Sequence, residues 1–127
     1  MIFKHFTSVV ALVAALFIAS TGLSTAQTLK KGNFSGASGV STSGGVSIVK
    51  KGNKAQIVIS GNFKTRRGPG LYVYLGNGSP SKNIGKLRAI KGGQSYALPA
   101  SVDISKYKNV YIYCKPFRKT FGKASLR

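Results

Sequence analysis

Cys114 is the only cysteine in this sequence of 127 residues, and its side chain offers the widest range of chemistry. A thiolate can exchange with a disulfide, and a cysteine sulfur can also ligate a prosthetic group. A lone thiol can instead join two chains through a disulfide, or pack into a core as an inert apolar group. Cys114 is therefore the candidate catalytic and cofactor-binding residue, with these four roles open.

Few other side chains are available to join Cys114 in a reaction. The sequence contains one histidine, His5, and one acidic residue, Asp103. A Ser-His-Asp triad needs both types in one site, and glycoside hydrolysis needs two carboxylates. Zinc and calcium sites need several His, Cys, Asp or Glu ligands. His5 also lies in a segment typical of a removable signal peptide, so common hydrolase and metal sites are excluded.

Asp103 has the sequence context of a structural carboxylate. It directly precedes Ile104 and Ser105, a pattern typical of an Asp that caps a short helical turn. A lone carboxylate without a histidine has few catalytic partners. We therefore predict that Asp103 caps a turn.

Positive charge dominates the sequence, because 20 Lys and Arg residues against one acidic residue give a formal net charge of +19. Such a field attracts polyanions, including anionic membrane surfaces and anionic envelope or extracellular polymers. Lys115, Arg118 and Lys119 follow Cys114 and are the candidate polyanion-binding residues. No nucleic-acid-binding motif accompanies the charge, so no specific nucleic acid is predicted as a partner. A solvated basic surface on a structural domain with no chemistry explains the same residues.

The N-terminal 26 residues have the organisation of a cleavable secretory signal peptide. Residues 4–5 are basic, residues 9–19 form an unbroken apolar run, and residues 24–26 are small, which places a cut before Gln27. At about 1.5 Å per residue, the apolar run is too short for a membrane core of roughly 30 Å. The sequence therefore predicts export to the periplasm, the cell surface or the extracellular medium.

The rest of the chain shows period-2 apolar patterns separated by turn residues, with no sustained 3.6-residue stripe. Gly52-Asn53, between residues 46–49 and 55–59, fits a two-residue hairpin turn. In that register Ile48 faces Ile57, and the neighbouring apolar pair falls on the same side of the ribbon. Turn chemistry and hydrophobic pattern therefore predict the same hairpin.

Further strands are predicted at residues 71–75 and 110–114, weaker ones at residues 84–90 and 95–98, and one more edge strand at residues 121–126. Residues 35–45 are rich in Gly and Ser, which is typical of a flexible loop. Short strands at this spacing predict an all-β fold, a small antiparallel β-sandwich or barrel-like domain. We place this domain at residues 34–126, after a lead at residues 27–33.

The alternation within the two clearest strands sorts their side chains into two faces. Cys114 shares the apolar face of its strand with Val110 and Ile112, which favours a position in the core. Tyrosines occupy the opposite face of residues 71–75 and 110–114. They form cross-strand ladders, or they stack on the bases or sugars of a ligand.

Several short motifs occur in the order typical of one known domain. They are Gly61-Asn62-Phe63, Gly68-Pro69-Gly70-Leu71-Tyr72, Gly93-Gln94-Ser95-Tyr96, Val110-Tyr111-Ile112-Tyr113-Cys114 and Phe121-Gly122-Lys123-Ala124-Ser125-Leu126. The ordered set, which ends in an aromatic-Cys strand and a Phe-Gly-x-Ala-x-Leu segment, resembles the DM-thirteen domain family over about residues 34–126.

The resemblance implies an extracytoplasmic all-β module with a proposed role in electron transfer. Cys114 occupies the position of the family's characteristic cysteine, which implies a naked thiol or a ligand to a group such as heme. A redox partner protein at the cell envelope is then expected. The family's Gly-Pro-Asp turn is Gly68-Pro69-Gly70 in this chain, so no role of that Asp carries over.

Overall fold

The computed structural model describes residues 25–127, which form eight strands and one short 3-10 helix. The strands are β1 (Gln27–Gly36), β2 (Gly45–Lys51), β3 (Lys54–Ile59), β4 (Leu71–Gly76), β5 (Pro80–Lys86), β6 (Gln94–Ala97), β7 (Asn109–Cys114) and β8 (Lys119–Ser125). The 3-10 helix spans Ile104–Lys106. The predicted signal peptide, residues 1–26, lies outside the described part of the chain except for its last two residues.

The strands pair in the order β5-β4-β7-β8-β1-β2-β3-β6, and every neighbouring pair is antiparallel. The two edge strands, β5 and β6, also approach each other, so the sheet nearly closes into a barrel. This architecture confirms the predicted all-β, antiparallel, barrel-like class. No helix within residues 25–127 has the length and apolar character needed to cross a membrane.

The hairpin of β2 and β3 forms in the predicted register. Ile48 pairs with Ile57 and Val46 pairs with Ile59, and these four side chains are buried. Gly52 has a φ of 62°, a left-handed conformation that glycine adopts without a steric penalty. The tight turn therefore fixes which residues face the core.

Alternate residues of the strands fill the interior of the barrel. On β7, Val110, Ile112 and Cys114 are 0% exposed, and Val73 and Leu75 on the neighbouring β4 are equally buried. Burial of each large aliphatic side chain of this kind contributes about 1.5–3 kcal/mol. The interior position of Cys114 is the one that its alternation with Val110 and Ile112 predicts.

The predicted lead at residues 27–33 is part of the sheet, because it forms most of β1 and pairs with β2. Its inward positions hold Lys30 and Gly32, so the segment lacks an apolar alternation. The Lys30 ammonium donates hydrogen bonds to the carbonyl oxygens of Ile104 and Tyr107, at 3.4 and 3.3 Å. Because its inward residues are not large and apolar, this segment lacks the alternation that predicts a strand.

Three other expectations differ from the structure. Residues 121–126 were expected at an edge, but β8 lies between β7 and β1. The predicted strand at residues 84–90 begins earlier, at Pro80, and ends at Lys86. Part of the predicted flexible loop at residues 35–45 is packed, since Val40 and Thr42 are buried.

The odd-numbered strands all finish at one end of the barrel, which we name the Cys114 end. It carries the connecting residues 37–44, 60–70, 87–93 and 115–118. The even-numbered strands finish at the opposite end, where residues 98–108 include Asp103. Cys114 therefore lies where β7 passes into an exposed hairpin tip.

Candidate redox site

The Cys114 side chain lies at the last position of β7, inside the barrel. Its residue pairs with Leu71 of β4 on one side and with Lys119 of β8 on the other. The side chain is 0% exposed and belongs to the main hydrophobic cluster, and Cys114 forms no disulfide. The next residue, Lys115, is exposed. The thiol is therefore enclosed, although the residue that directly follows it is exposed to solvent.

Two backbone hydrogen bonds hold residues 115–118, which we name the hairpin tip. The Lys115 N–H donates to the Gly70 carbonyl at 3.0 Å, and the Arg118 N–H donates to the Lys115 carbonyl at 3.1 Å. Arg118 has a φ of 53°, in the left-handed region that side chains other than glycine seldom occupy. The tip is therefore attached to the barrel mainly through Gly70.

Gly70 also allows a close approach between its own segment and the tip. A Cβ at this position would lie 2.9 Å from Cδ of Pro116 and 3.1 Å from its Cγ. Any side chain at position 70 would therefore enter the space that Pro116 occupies. Glycine at the third position of the Gly68-Pro69-Gly70 turn therefore leaves the room that Pro116 of the tip needs.

The candidate polyanion-binding residues Lys115, Arg118 and Lys119 are all exposed at or beside the hairpin tip. The Lys115 ammonium lies 5.0 Å from the centroid of the Tyr72 ring, a distance typical of a cation–π contact. The structure therefore places these three cations together around the strand end that carries Cys114.

The tyrosines of β4 and β7 form cross-strand pairs on the outer face of the barrel. Tyr72 pairs with Tyr113 and Tyr74 with Tyr111, and the rings of Tyr74 and Tyr113 meet edge to face with centroids 5.1 Å apart. Tyr111 is 1% exposed, and burial raises the pKa of its phenol above the ordinary value. Its hydroxyl donates to Asn109 Oδ1 at 3.2 Å. These contacts are those of a structural ladder.

No group of three or more His, Cys, Asp or Glu residues within residues 25–127 is arranged to hold a metal ion. A heme iron needs an open face of its ligand atom, and the Cys114 side chain is fully enclosed by the core. The folded arrangement around Cys114 therefore does not fit a heme. Ligation of a prosthetic group by this residue stays a prediction that needs another conformation.

Asp103 caps the 3-10 helix, as its position in the sequence predicts. Its carboxylate accepts hydrogen bonds from the backbone N–H of Ser105 at 3.0 Å and from the Ser105 hydroxyl at 2.6 Å. These bonds hold the pKa of the Asp103 carboxyl below its ordinary value. The only acidic side chain of the sequence therefore stabilises a helical turn at the end of the barrel opposite Cys114.

Comparison with known protein families matches residues 33–126 to the family described as Electron transfer DM13. The match runs from β1 to the residue after β8 and so covers almost the whole described chain. This protein belongs to the DM13 family. No match was found among curated proteins or among solved structures.

The DM13 match includes all eight strands at least in part, Cys114 and the hairpin tip. It begins at Asn33, one residue before the start of the predicted domain. Sequence reasoning found Cys114 and its cationic neighbours, but it missed the contact between Gly70 and Pro116 and the exposure of Phe117. The Gly68-Pro69-Gly70 motif was the available signal for the first of these.

Proposed function

We propose that this DM13 protein transfers electrons outside the cytoplasm and that the Cys114 thiol is its redox group. Electron transfer is the function given in the description of the family. The choice of Cys114 is supported by the composition, since the sequence has one cysteine and one histidine and so few groups able to change redox state or ligate a cofactor. A redox partner at the cell envelope completes the proposal.

Burial of the thiol makes a conformational step part of the proposal. Cys114 is the last paired residue of β7, and beyond its pair with Lys119 the tip is held by the hydrogen bond from Lys115 to Gly70. Local opening of strand ends requires less free energy than global unfolding. The single observation that carries the proposal is this position, a fully buried thiol at the last residue before an exposed basic turn.

The chemistry in the open state is thiol–disulfide exchange. The cations Lys115, Arg118 and Lys119 stabilise the Cys114 thiolate once its sulfur reaches water. The thiolate attacks one sulfur of an acceptor protein's disulfide, a mixed disulfide forms, and the other acceptor sulfur leaves as a thiolate.

A donor protein with two thiols completes the transfer. Its first thiolate attacks the Cys114 sulfur of the mixed disulfide and releases the fully reduced acceptor. Its second thiolate then attacks the first donor sulfur, which closes the donor disulfide and frees Cys114. Two electrons have passed from donor dithiol to acceptor disulfide, and a lone cysteine suffices as the relay.

Thiol-reagent labelling of the native protein tests this proposal. We expect modification of the Cys114 thiol to be faster than global unfolding. Incubation with a disulfide acceptor should give a mixed disulfide that is absent from the Cys114→Ala variant. Labelling that proceeds only at the rate of global unfolding, with no mixed disulfide, would contradict a redox role for this thiol.

A second candidate function, binding of anionic envelope or extracellular polymers, is favoured by the joint exposure of Lys115, Arg118 and Lys119. Each phosphate or sulfate neutralised by a cation releases counterions, so the affinity should fall steeply with salt. Binding to heparin measured across salt concentrations tests it. Binding that does not change with salt would leave these cations as a solvated surface.

A further inference from the structure

The Cys114 end of the barrel is rich in exposed cationic side chains. Nine cationic residues lie in its connecting segments or at the adjoining strand ends, and all are exposed: Lys64, Arg66, Arg67, Lys86, Arg88, Lys91, Lys115, Arg118 and Lys119. The only acidic side chain of the sequence, Asp103, is at the opposite end. No side-chain carboxylate therefore offsets the charge of this end.

Phe117 lies in the hairpin tip, next to three of these cationic residues in the chain. It is 58% exposed, and its neighbours Pro116 and Arg118 are exposed as well. Within residues 25–127 the only other large hydrophobic residue recorded as exposed is Leu29, at 38%. Among the described residues, the hairpin tip therefore carries the most exposed aromatic side chain, and it is flanked by cations.

A basic groove lies beside the tip. It has a volume of about 590 Å³, and its lining includes Arg67, Lys86, Arg88 and Lys91 together with the Gly68-Pro69-Gly70 turn. The hydrogen bond from the Lys115 N–H to the Gly70 carbonyl joins this turn to the tip. The groove and the tip are therefore parts of one surface.

Arg88 at this groove is held in place by its neighbours. Its Nη1 donates to the Ser95 carbonyl at 2.6 Å, and its guanidinium lies 4.5 Å from the centroid of the Tyr96 ring. Fixing a long cationic side chain in the unbound protein reduces the entropy lost when an anion binds. The Arg88 guanidinium is therefore preorganised to bind an anionic group in the groove.

We propose that the Cys114 end docks on an anionic phospholipid bilayer, with Phe117 inserted between headgroups and lipid phosphates bound in the groove. This inference deepens the second candidate function by naming the anionic partner. A soluble polyanion leaves an exposed phenyl ring in water, whereas a bilayer interface takes up the ring and the surrounding cations together. An acidic protein needs a cavity shaped for Phe117, and a fluid headgroup layer does not.

Vesicle binding by the exported protein tests the proposal. The probes are phosphatidylcholine vesicles with and without roughly 30 mol % phosphatidylglycerol, since each Lys or Arg near an anionic surface adds to the attraction. We expect binding to the anionic vesicles only. Substituting Lys115, Arg118 and Lys119 by Gln should weaken it about a hundredfold, and Phe117→Ala should weaken it about tenfold.

The opposite end of the barrel supplies matched controls. Gln substitutions at Lys50, Lys51 and Lys54, in the β2–β3 hairpin, remove the same charge, and Leu29→Ala removes the other exposed apolar side chain. These variants should lose much less affinity than their counterparts at the Cys114 end. Equal losses for the two triple variants would show attraction by net charge without orientation and would overturn the proposal.

Tryptophan fluorescence measures insertion directly, because the sequence contains no tryptophan. The emission of Phe117→Trp should shift to the blue on anionic vesicles, and that of Leu29→Trp should not. An unshifted Phe117→Trp overturns membrane docking, and salt-dependent heparin binding would then still support the broader polyanion function. Failure to bind either vesicles or heparin would remove both.

Discussion

Replacement of Gly70 by alanine should loosen the hairpin tip and speed up labelling of Cys114. The added Cβ would lie 2.9 Å from Pro116 Cδ, whereas non-bonded carbon atoms at optimal separation are about 3.5–4.0 Å apart. Gly70 does not have a positive φ, so alanine meets no backbone penalty there. The strain therefore falls on the contact with Pro116, and overpacking of this kind costs about 1–3 kcal/mol.

Opening of the tip relieves this strain, so the variant should populate the open state more often. Each 1.4 kcal/mol changes an equilibrium about tenfold, and the expected rise in the labelling rate is therefore about 5- to 150-fold. Gly61→Ala is the matched control, because nothing lies within 4 Å of its added Cβ. Both substitutions reduce the entropy of the unfolded chain by a similar amount.

The assay compares two rates for each variant. Labelling of Cys114 by a thiol reagent is followed in native buffer, and the free energy of unfolding is measured in urea on the same protein. The free energy of opening derived from the labelling rate should be smaller than the free energy of global unfolding in each protein, and Gly70→Ala should lower it while Gly61→Ala should not. If the two free energies are equal, Cys114 becomes accessible only by unfolding of the whole barrel, and access through the tip is refuted.

Three further predictions concern stability. The hydrogen bonds from Ser105 lower the pKa of the Asp103 carboxyl, so the capped turn stabilises the fold at pH values above the ordinary carboxyl pKa. This stabilisation is lost as the pH falls through the lowered pKa. The Asp103→Ala variant should therefore lack the loss of stability that protonation of Asp103 causes during acid unfolding. Thr42→Val should cost about 1–3 kcal/mol in urea unfolding, because it removes a buried partner of the Thr65 hydroxyl. Cys114→Ser should cost about 1–3 kcal/mol by burying a hydroxyl, and Cys114→Ala should avoid that penalty.

The parts of the fold that the sequence predicts are those where two independent signals coincide. In the β2–β3 hairpin, Gly52 requires a tight turn and the apolar residues Ile48 and Ile57 require a common face, and only one register satisfies both. On β7, the alternation of Val110 and Ile112 places Cys114 in the core before any coordinates are known.

The first part of β1 was not predicted as a strand and β8 was predicted at the wrong place in the sheet, and both have inward positions without large apolar side chains. β8 turns Gly122 and Ala124 toward the interior, so it resembles an edge strand in sequence although β1 and β7 flank it. A Cβ on Gly122 would lie 2.5 Å from Thr42 Cγ2, so the threonine fills the space that a larger strand residue would take. The hydrophobic periodicity of a strand does not show that a side chain from a distant segment fills the space beside a small residue.

Of the candidate site, too, the sequence predicts some features and not others. The identity of Cys114 and its cationic neighbours follows from composition and chain order. The contact of Pro116 with Gly70 and the exposure of Phe117 depend on how two connecting segments meet at one end of the barrel. A local sequence pattern does not predict the contact between these two segments, because they are about 46 positions apart in the chain.

The two proposals place the redox thiol and the membrane contact on one structural unit. Cys114 ends the strand that leads into the tip, and Phe117 is three positions further along the same hairpin. If the open tip inserts Phe117 more deeply than the closed tip does, bound lipid should shift the equilibrium toward the reactive state. Labelling of Cys114 should then be faster on anionic vesicles than in buffer, and the Phe117→Ala variant should lose that acceleration while keeping its rate in buffer. Equal rates with and without vesicles would mean that docking and thiol access are independent properties of this end.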